Sequence, residues 1–153
     1  MPVNNTIPFS EGIFSITFTC ARWLPLIEMV NGYDIVYKWF DHLTSKGHFI
    51  SGYVIMPNHV HVLIGFRNVD QSINTIVGNG KRFMAYEIIN RLKEQKQLIL
   101  LRQLSASVEP DRKANRKQHD VWKLSFDWKK CESGRFIEQK LDYYHKNPLF
   151  LMG

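Results

Sequence analysis

The stretch MPNHVHVLI, Met56 to Ile64, sets two imidazoles two residues apart. Residues i and i+2 of a strand project to the same side. His59 and His61 are therefore expected together on one face, with Val60 and Val62 on the other. Two neutral imidazoles on one surface make half of a site for a divalent cation. The same spacing also suits ordinary polar contacts on a sheet surface, so the pair alone does not define chemistry. A second cluster lies in RFIEQKLDYYHKNP, Arg135 to Pro148. Ile137, Leu141 and Tyr144 recur at helical spacing as an apolar stripe, which makes Tyr144 a packing residue. Tyr143 is turned from it by about 100° and shares a face with Gln139 and Asn147, one turn away on either side. A phenol one turn from an amide oxygen suits a nucleophile beside a metal ligand. The alternative is that Tyr143 lines a groove or packs.

The elements that must position these groups follow from periodicity. Gly12 to Ala21 is rich in β-branched and aromatic residues and reads as a strand. Asp34 to Ser45 places Ile35, Trp39 and Leu43 at helical spacing, with Lys46-Gly47 as a stop. Phe49 to Met56 and His59 to Phe66 read as strands separated by Pro57-Asn58. Ser72 caps a helix towards Lys96, in which Gly78 and Gly80 are expected to weaken or kink the first half. Val108 to Gln118 reads as a polar, basic loop and His119 to Phe126 as a strand. Ser133 caps a last helix ending near Asn147, because a residue before proline avoids the α region. The order predicts one α+β domain over residues 1–153, with helices mainly on one face of a mostly antiparallel sheet.

Composition agrees with a folded domain: 153 residues, 44% hydrophobic and 13% aromatic. The net charge is +6. Lys81 to Lys117 holds ten basic and four acidic residues, which equals that entire surplus. A concentrated positive segment suits a polyanion, although a solvated helix face followed by a basic loop would read the same. Cys20 and Cys131 lack metal-like spacing and suggest no disulfide framework. No run approaches a transmembrane length, and MPVNNTIPFSEG lacks the features of a secretory signal. The expectation is a cytoplasmic protein with no membrane partner.

Taken together, the motifs resemble the single-tyrosine HUH transposases, and within them the REP-associated tyrosine transposases. The likeness spans nearly the whole chain. ITFTCARWLPLI resembles that family's first strand and turn, MPNHVHVLI its metal-binding strand, VWKLSFDW its last strand, and LDYYHKNP its tyrosine helix ending in Asn-Pro. The resemblance implies a ferredoxin-like or RRM-like antiparallel sheet with helices. It makes His59, His61 and Asn147 the ligands of Mg²⁺ or Mn²⁺, and Tyr143 the nucleophile. The substrate it implies is single-stranded DNA beside a hairpin, cleaved and rejoined through a 5′-phosphotyrosine. Nucleic-acid contacts are then expected from Lys81, Arg82, Arg112, Lys113, Arg116 and Lys117, on the same side as the histidines. Trp23, Trp122 and Trp128 read either as base-stacking surfaces or as core. The resemblance leaves a monomer and a homodimer open. The sequence departs from the family pattern at Tyr144 and Lys146, and it stops five residues after Pro148 where many relatives continue. That short end suits an alternative, a catalytically inactive or domesticated relative that grips hairpin DNA or RNA. A water-using metal phosphodiesterase is a third reading.

Overall fold

The computed structural model describes residues 6–68, 70–106, 108, 119–146 and 150–151. Strand β1 (Gly12–Thr19) leads through a single 3-10 turn (Ala21–Trp23) into helices α1 (Leu26–Met29) and α2 (Tyr33–Ser45). Strands β2 (Phe49–Met56) and β3 (His59–Phe66) follow, then helices α3 (Ile73–Glu94) and α4 (Leu98–Ala106). The chain ends with β4 (Asp127–Lys130), α5 (Gly134–His145) and the short β5 (Phe150–Leu151). The strand order is β4-β1-β3-β2-β5, with every neighbouring pair antiparallel. Without β5 this is the βαββαβ arrangement of a ferredoxin-like sheet, as expected.

The sheet's two faces differ because side chains alternate. Phe14, Ile16 and Phe18 of β1, with Val60, Val62 and Ile64 of β3, join the main core under α2, α3 and α4. Helix α5 packs on the opposite face, where Ile137 and Leu141 meet Val54, Leu63 and Cys131. Both cysteines are buried and unbridged. Helices α2 and α3 are clamped together by Arg91, whose guanidinium takes both Asp34 carboxylate oxygens, at 2.6 and 2.9 Å. Its Nη1 also donates to the Val30 and Asn31 carbonyls. The Arg91 hydrogen bonds hold the Asp34 carboxyl below the usual range. Among the described residues no helix is long and apolar enough to cross a membrane.

Two expectations are corrected, and one helix is new. Helix α3 runs uninterrupted for 22 residues past Gly78 and Gly80, with Ser72 capping the Thr75 amide. Gly80 serves close packing, since a Cβ there would overlap the Trp39 indole nitrogen. The segment His119 to Phe126 is not a strand. Its sheet pairing is a lone bridge between Trp122 and Cys20, and the regular strand begins at Asp127. Its backbone is engaged elsewhere: the Asp120 amide donates to the Leu104 carbonyl, and the Lys123 amide to that of Thr19. Helix α4 was not expected at all; it buries Leu100, Leu101 and Leu104.

The glycines of α3 allow a test with opposite signs. A Cβ at Gly78 would meet nothing within 4 Å. Gly78→Ala should therefore stabilise the fold by about 0.5–1 kcal/mol, through helix propensity and a less flexible unfolded chain. Gly80→Ala should destabilise by about 1–3 kcal/mol, because overpacking forces buried groups to shift and Trp39 is only 5% exposed. Urea unfolding of both variants measures the two values. Equal shifts would refute the close approach of Gly80 to Trp39.

Candidate active site

The strand register fixes the histidine pair. His59 lies opposite Thr19 and Met56, and His61 opposite Thr17 and Val54. All of these stand on the face that α5 covers. The imidazole centroids are 4.7 Å apart and the rings nearly perpendicular, at 82°. Each Nδ1 is tied down: that of His61 is 2.8 Å from the Thr17 hydroxyl, and that of His59 is 2.6 Å from Asn58 Oδ1. The Asn58 oxygen can only accept, so the His59 Nδ1 donates and the lone pair resides on Nε2. Fixing one ring nitrogen in this way selects the tautomer and orientation that a metal-binding histidine needs.

Electrostatics also suit a cation site. Burial pushes the His61 imidazole down to about 4, and the charges of His59 and Lys140 add to the effect. Burial lowers His59 as well. Both rings are therefore neutral at pH 7, as ligation requires. Among the described residues no group of three or more His, Cys, Asp or Glu side chains gathers for a metal. The pair thus contributes two nitrogen donors, and the donor set fits a cation that keeps further positions for oxygen ligands.

Helix α5 brings Lys140 into the field of His61 and carries Tyr143 in its last turn. Asn147, the third expected ligand, lies outside the described residues, as do Arg112, Lys113, Arg116 and Lys117. Lys81 departs from expectation. It is 8% exposed, and its ammonium donates to the Lys123 carbonyl at 3.2 Å. Its own carbonyl accepts from the Trp122 indole at 2.8 Å. Lys81 ties α3 to the segment before β4 and presents no phosphate-binding surface. Arg82 is exposed and bonds Asn79. Helix α3, which carries both, packs on the face opposite the histidines, so this part of the basic segment does not flank them.

The tryptophans separate. Trp122 is buried edge-on against Phe18, and Trp128 packs edge-on against Phe14. Trp23 is 60% exposed, with the Lys123 ammonium 3.7 Å from its ring centroid. Arg22 and Trp23 both occupy the left-handed region, at φ 56° and 58°. That conformation costs a residue with a side chain about 1–3 kcal/mol. The sequence reading missed Thr17, Asn58 and Lys140. Asn58 lies within the motif MPNHVHVLI and was within reach; Thr17 emerges only once the β1–β3 register is known.

The fold is shared with solved structures. A REP-associated tyrosine transposase bound to a REP hairpin superposes with a TM-score of 0.65, over 97% of this chain and 73% of that one, at 13% identity. A protein from Deinococcus radiodurans R1, provisionally described as a transposase, superposes with a TM-score of 0.53 over 95% and 97% of the two chains, at 16% identity. At these identities the likeness is one of fold. No protein-family model and no curated protein sequence matches the chain.

The depressed histidines give a pH signature. In metal-free protein His61 should stay neutral down to about pH 4. An unfolded histidine takes its proton near pH 6.5. Between those values the unfolded state binds more protons, so stability should fall as pH drops from about 6.5 to about 4. NMR titration of the ring protons in the presence of a chelator reads the midpoint directly. A His61 midpoint at or above the ordinary value would contradict the buried geometry, and His61→Gln should flatten the stability slope.

Proposed function

We propose that this chain is a metal-dependent DNA strand transferase of the single-tyrosine HUH transposase kind, acting on single-stranded DNA beside hairpins in the cytoplasm. One observation carries the reading. His59 and His61 stand ring to ring on the face of β3 that the C-terminal helix covers, each with Nδ1 anchored. The fold it shares with a REP-associated tyrosine transposase bound to a REP hairpin supports the same reading.

In this reading His59 and His61 hold Mg²⁺ or Mn²⁺, with the Asn147 side-chain oxygen as a third ligand. The cation would neutralise charge on the scissile phosphate and orient it. Tyr143 is the nucleophile. Its phenolic oxygen bonds to phosphorus and loses its proton as the P–O3′ bond breaks, giving a 5′-phosphotyrosine and a free 3′-hydroxyl. Attack by another 3′-hydroxyl reverses these changes and releases the tyrosine, so strands are rejoined without nucleotide hydrolysis. Thr17 and Asn58 orient the histidine rings. The Arg112, Lys113, Arg116 and Lys117 cluster is assigned to DNA phosphates, which makes affinity fall with salt.

The test is covalent capture. Wild-type protein incubated with hairpin DNA carrying a single-stranded flank and Mn²⁺ should form an adduct that survives denaturing electrophoresis. Tyr143→Phe should bind the DNA with nearly unchanged affinity and form no adduct. Tyr144→Phe should retain the adduct, and His59→Ala should lose it, with partial recovery in excess Mn²⁺. Cleavage that persists in Tyr143→Phe would point to water as nucleophile, and binding without any cleavage in the wild type would leave a hairpin-binding protein. Activity in Tyr143→Phe with loss in Tyr144→Phe would keep the metal site and reassign the nucleophile.

A further inference from the structure

The exposed aromatic beside the histidine strand has no part in the chemistry above. Trp23 keeps 60% exposure even with the Lys123 ammonium lying 3.7 Å from its ring centroid. A large apolar ring in solvent contributes little to folding, yet the backbone is held in an unfavourable conformation to present it. Arg22 and Trp23 are consecutive left-handed residues, both exposed. Such conformations persist only when their surroundings impose them, and here the restraints are visible. The Trp23 amide donates to the Cys20 carbonyl and the Leu24 amide to that of Ala21.

The anchoring points are the two residues that flank His59. Asn58 precedes it in the chain and Thr19 lies directly opposite it across β1 and β3. The Asn58 side chain donates from Nδ2 to the Trp23 carbonyl while its Oδ1 accepts from His59 Nδ1. The Lys123 amide donates to the Thr19 carbonyl at 2.8 Å. Ring and ammonium are thus fixed to the end of the sheet where His59 sits, by separate hydrogen bonds, one through the β2–β3 turn and one through the end of β1. An exposed indole with an ammonium over its ring and an arginine beside it in the chain is a combination that holds an unpaired nucleotide: the base stacks on the remaining face of the ring and the backbone phosphate meets the charge.

We propose that Trp23, Lys123 and Arg22 form a platform for one unpaired nucleotide of the DNA strand that enters the histidine site. The base stacks on Trp23, and the adjoining phosphate meets Lys123 and Arg22. The proposal rests on the strand-transferase reading, and it adds the place where the single-stranded flank is gripped. Asn58 makes that grip a positioning device, because one amide side chain orients both the Trp23 carbonyl and the His59 ring.

The experiment uses the full chain in Mg²⁺ and a DNA hairpin with a single-stranded thymidine tail, carrying 2-aminopurine at each tail position in turn. Binding of the wild type should change the 2-aminopurine fluorescence most at a single position. Trp23→Ala should abolish that change and weaken affinity about tenfold, the scale of one base–aromatic stack. Its melting temperature should stay near wild type, since the ring is in solvent. Trp23→Phe keeps an aromatic face and should retain much of the affinity. Lys123→Ala should lower the slope of log affinity against log salt by about one. Wild-type affinity and an unchanged fluorescence pattern in Trp23→Ala would overturn the platform while leaving tail binding intact. So would an equal loss in Trp23→Phe and Trp23→Ala. Failure of the wild type to bind the tail at all would overturn the strand-transferase reading, and the platform with it.

Discussion

The candidate site depends on the alternation of one strand. β3 is hydrogen-bonded along both edges, to β1 and to β2, so neither edge can shift without breaking the other. Its valines and Ile64 are sealed into the main core, and this apolar contact fixes which side is which. A slip of one residue would carry both imidazoles into that core and Val60 and Val62 out of it. The free energy of burying the apolar side therefore holds two polar rings in a half-buried place that they would not choose alone. Their neutrality follows from the same burial, so packing on one face sets the ionisation state on the other.

The turn between β2 and β3 distributes that rigidity. Proline brings a fixed φ and no N–H, which leaves the Pro57 carbonyl to accept from the Ile27 and Glu28 amides at the start of α1. The Asn58 carbonyl accepts from the Cys20 amide. Its side chain serves His59 and the Trp23 carbonyl. Two residues thus join the hairpin, the end of β1 and the first helical turns. Half-buried polar groups that find partners in this way cost little, and they define position more sharply than apolar contacts do.

How far the sequence could be read follows from the range of the forces involved. β2 and β3 were legible to the residue, because alternation and a Pro-Asn break are local signals. Helices α2 and α3 were legible through their apolar period and, for α3, the Ser72 cap. HDVWKLSF misled because Val121 and Trp122 are buried as strand residues can be, at 1% and 7% exposure, whereas Leu124 is 63% exposed and the backbone bonds go largely to a helix end and a strand terminus. Gly80 reads as a helix breaker until Trp39 is seen against it. Lys81 reads as surface charge until a carbonyl 42 residues away is seen to receive its ammonium. The histidines were visible as a pair, but the Thr17 hydroxyl that orients one of them belongs to a strand 44 residues distant. Tyr143 was placed on its helix by local pattern alone.

The strand order also bears on how the site comes into being. β1 and β2 run in the same direction with β3 between them, so both find their shared partner on β3. β2 and β3 are joined by two residues and can meet quickly, whereas β1 must wait for a strand that begins 40 residues after its own end. Closing that longer loop carries the larger entropic cost. Thr17, the partner of His61, and Thr19, the neighbour of His59, sit on the late-joining side. A nascent or partly unfolded chain therefore has both histidines and yet no site. The His61 imidazole lacks its Thr17 partner until β1 docks, so the paired site arises in the same step that completes the sheet.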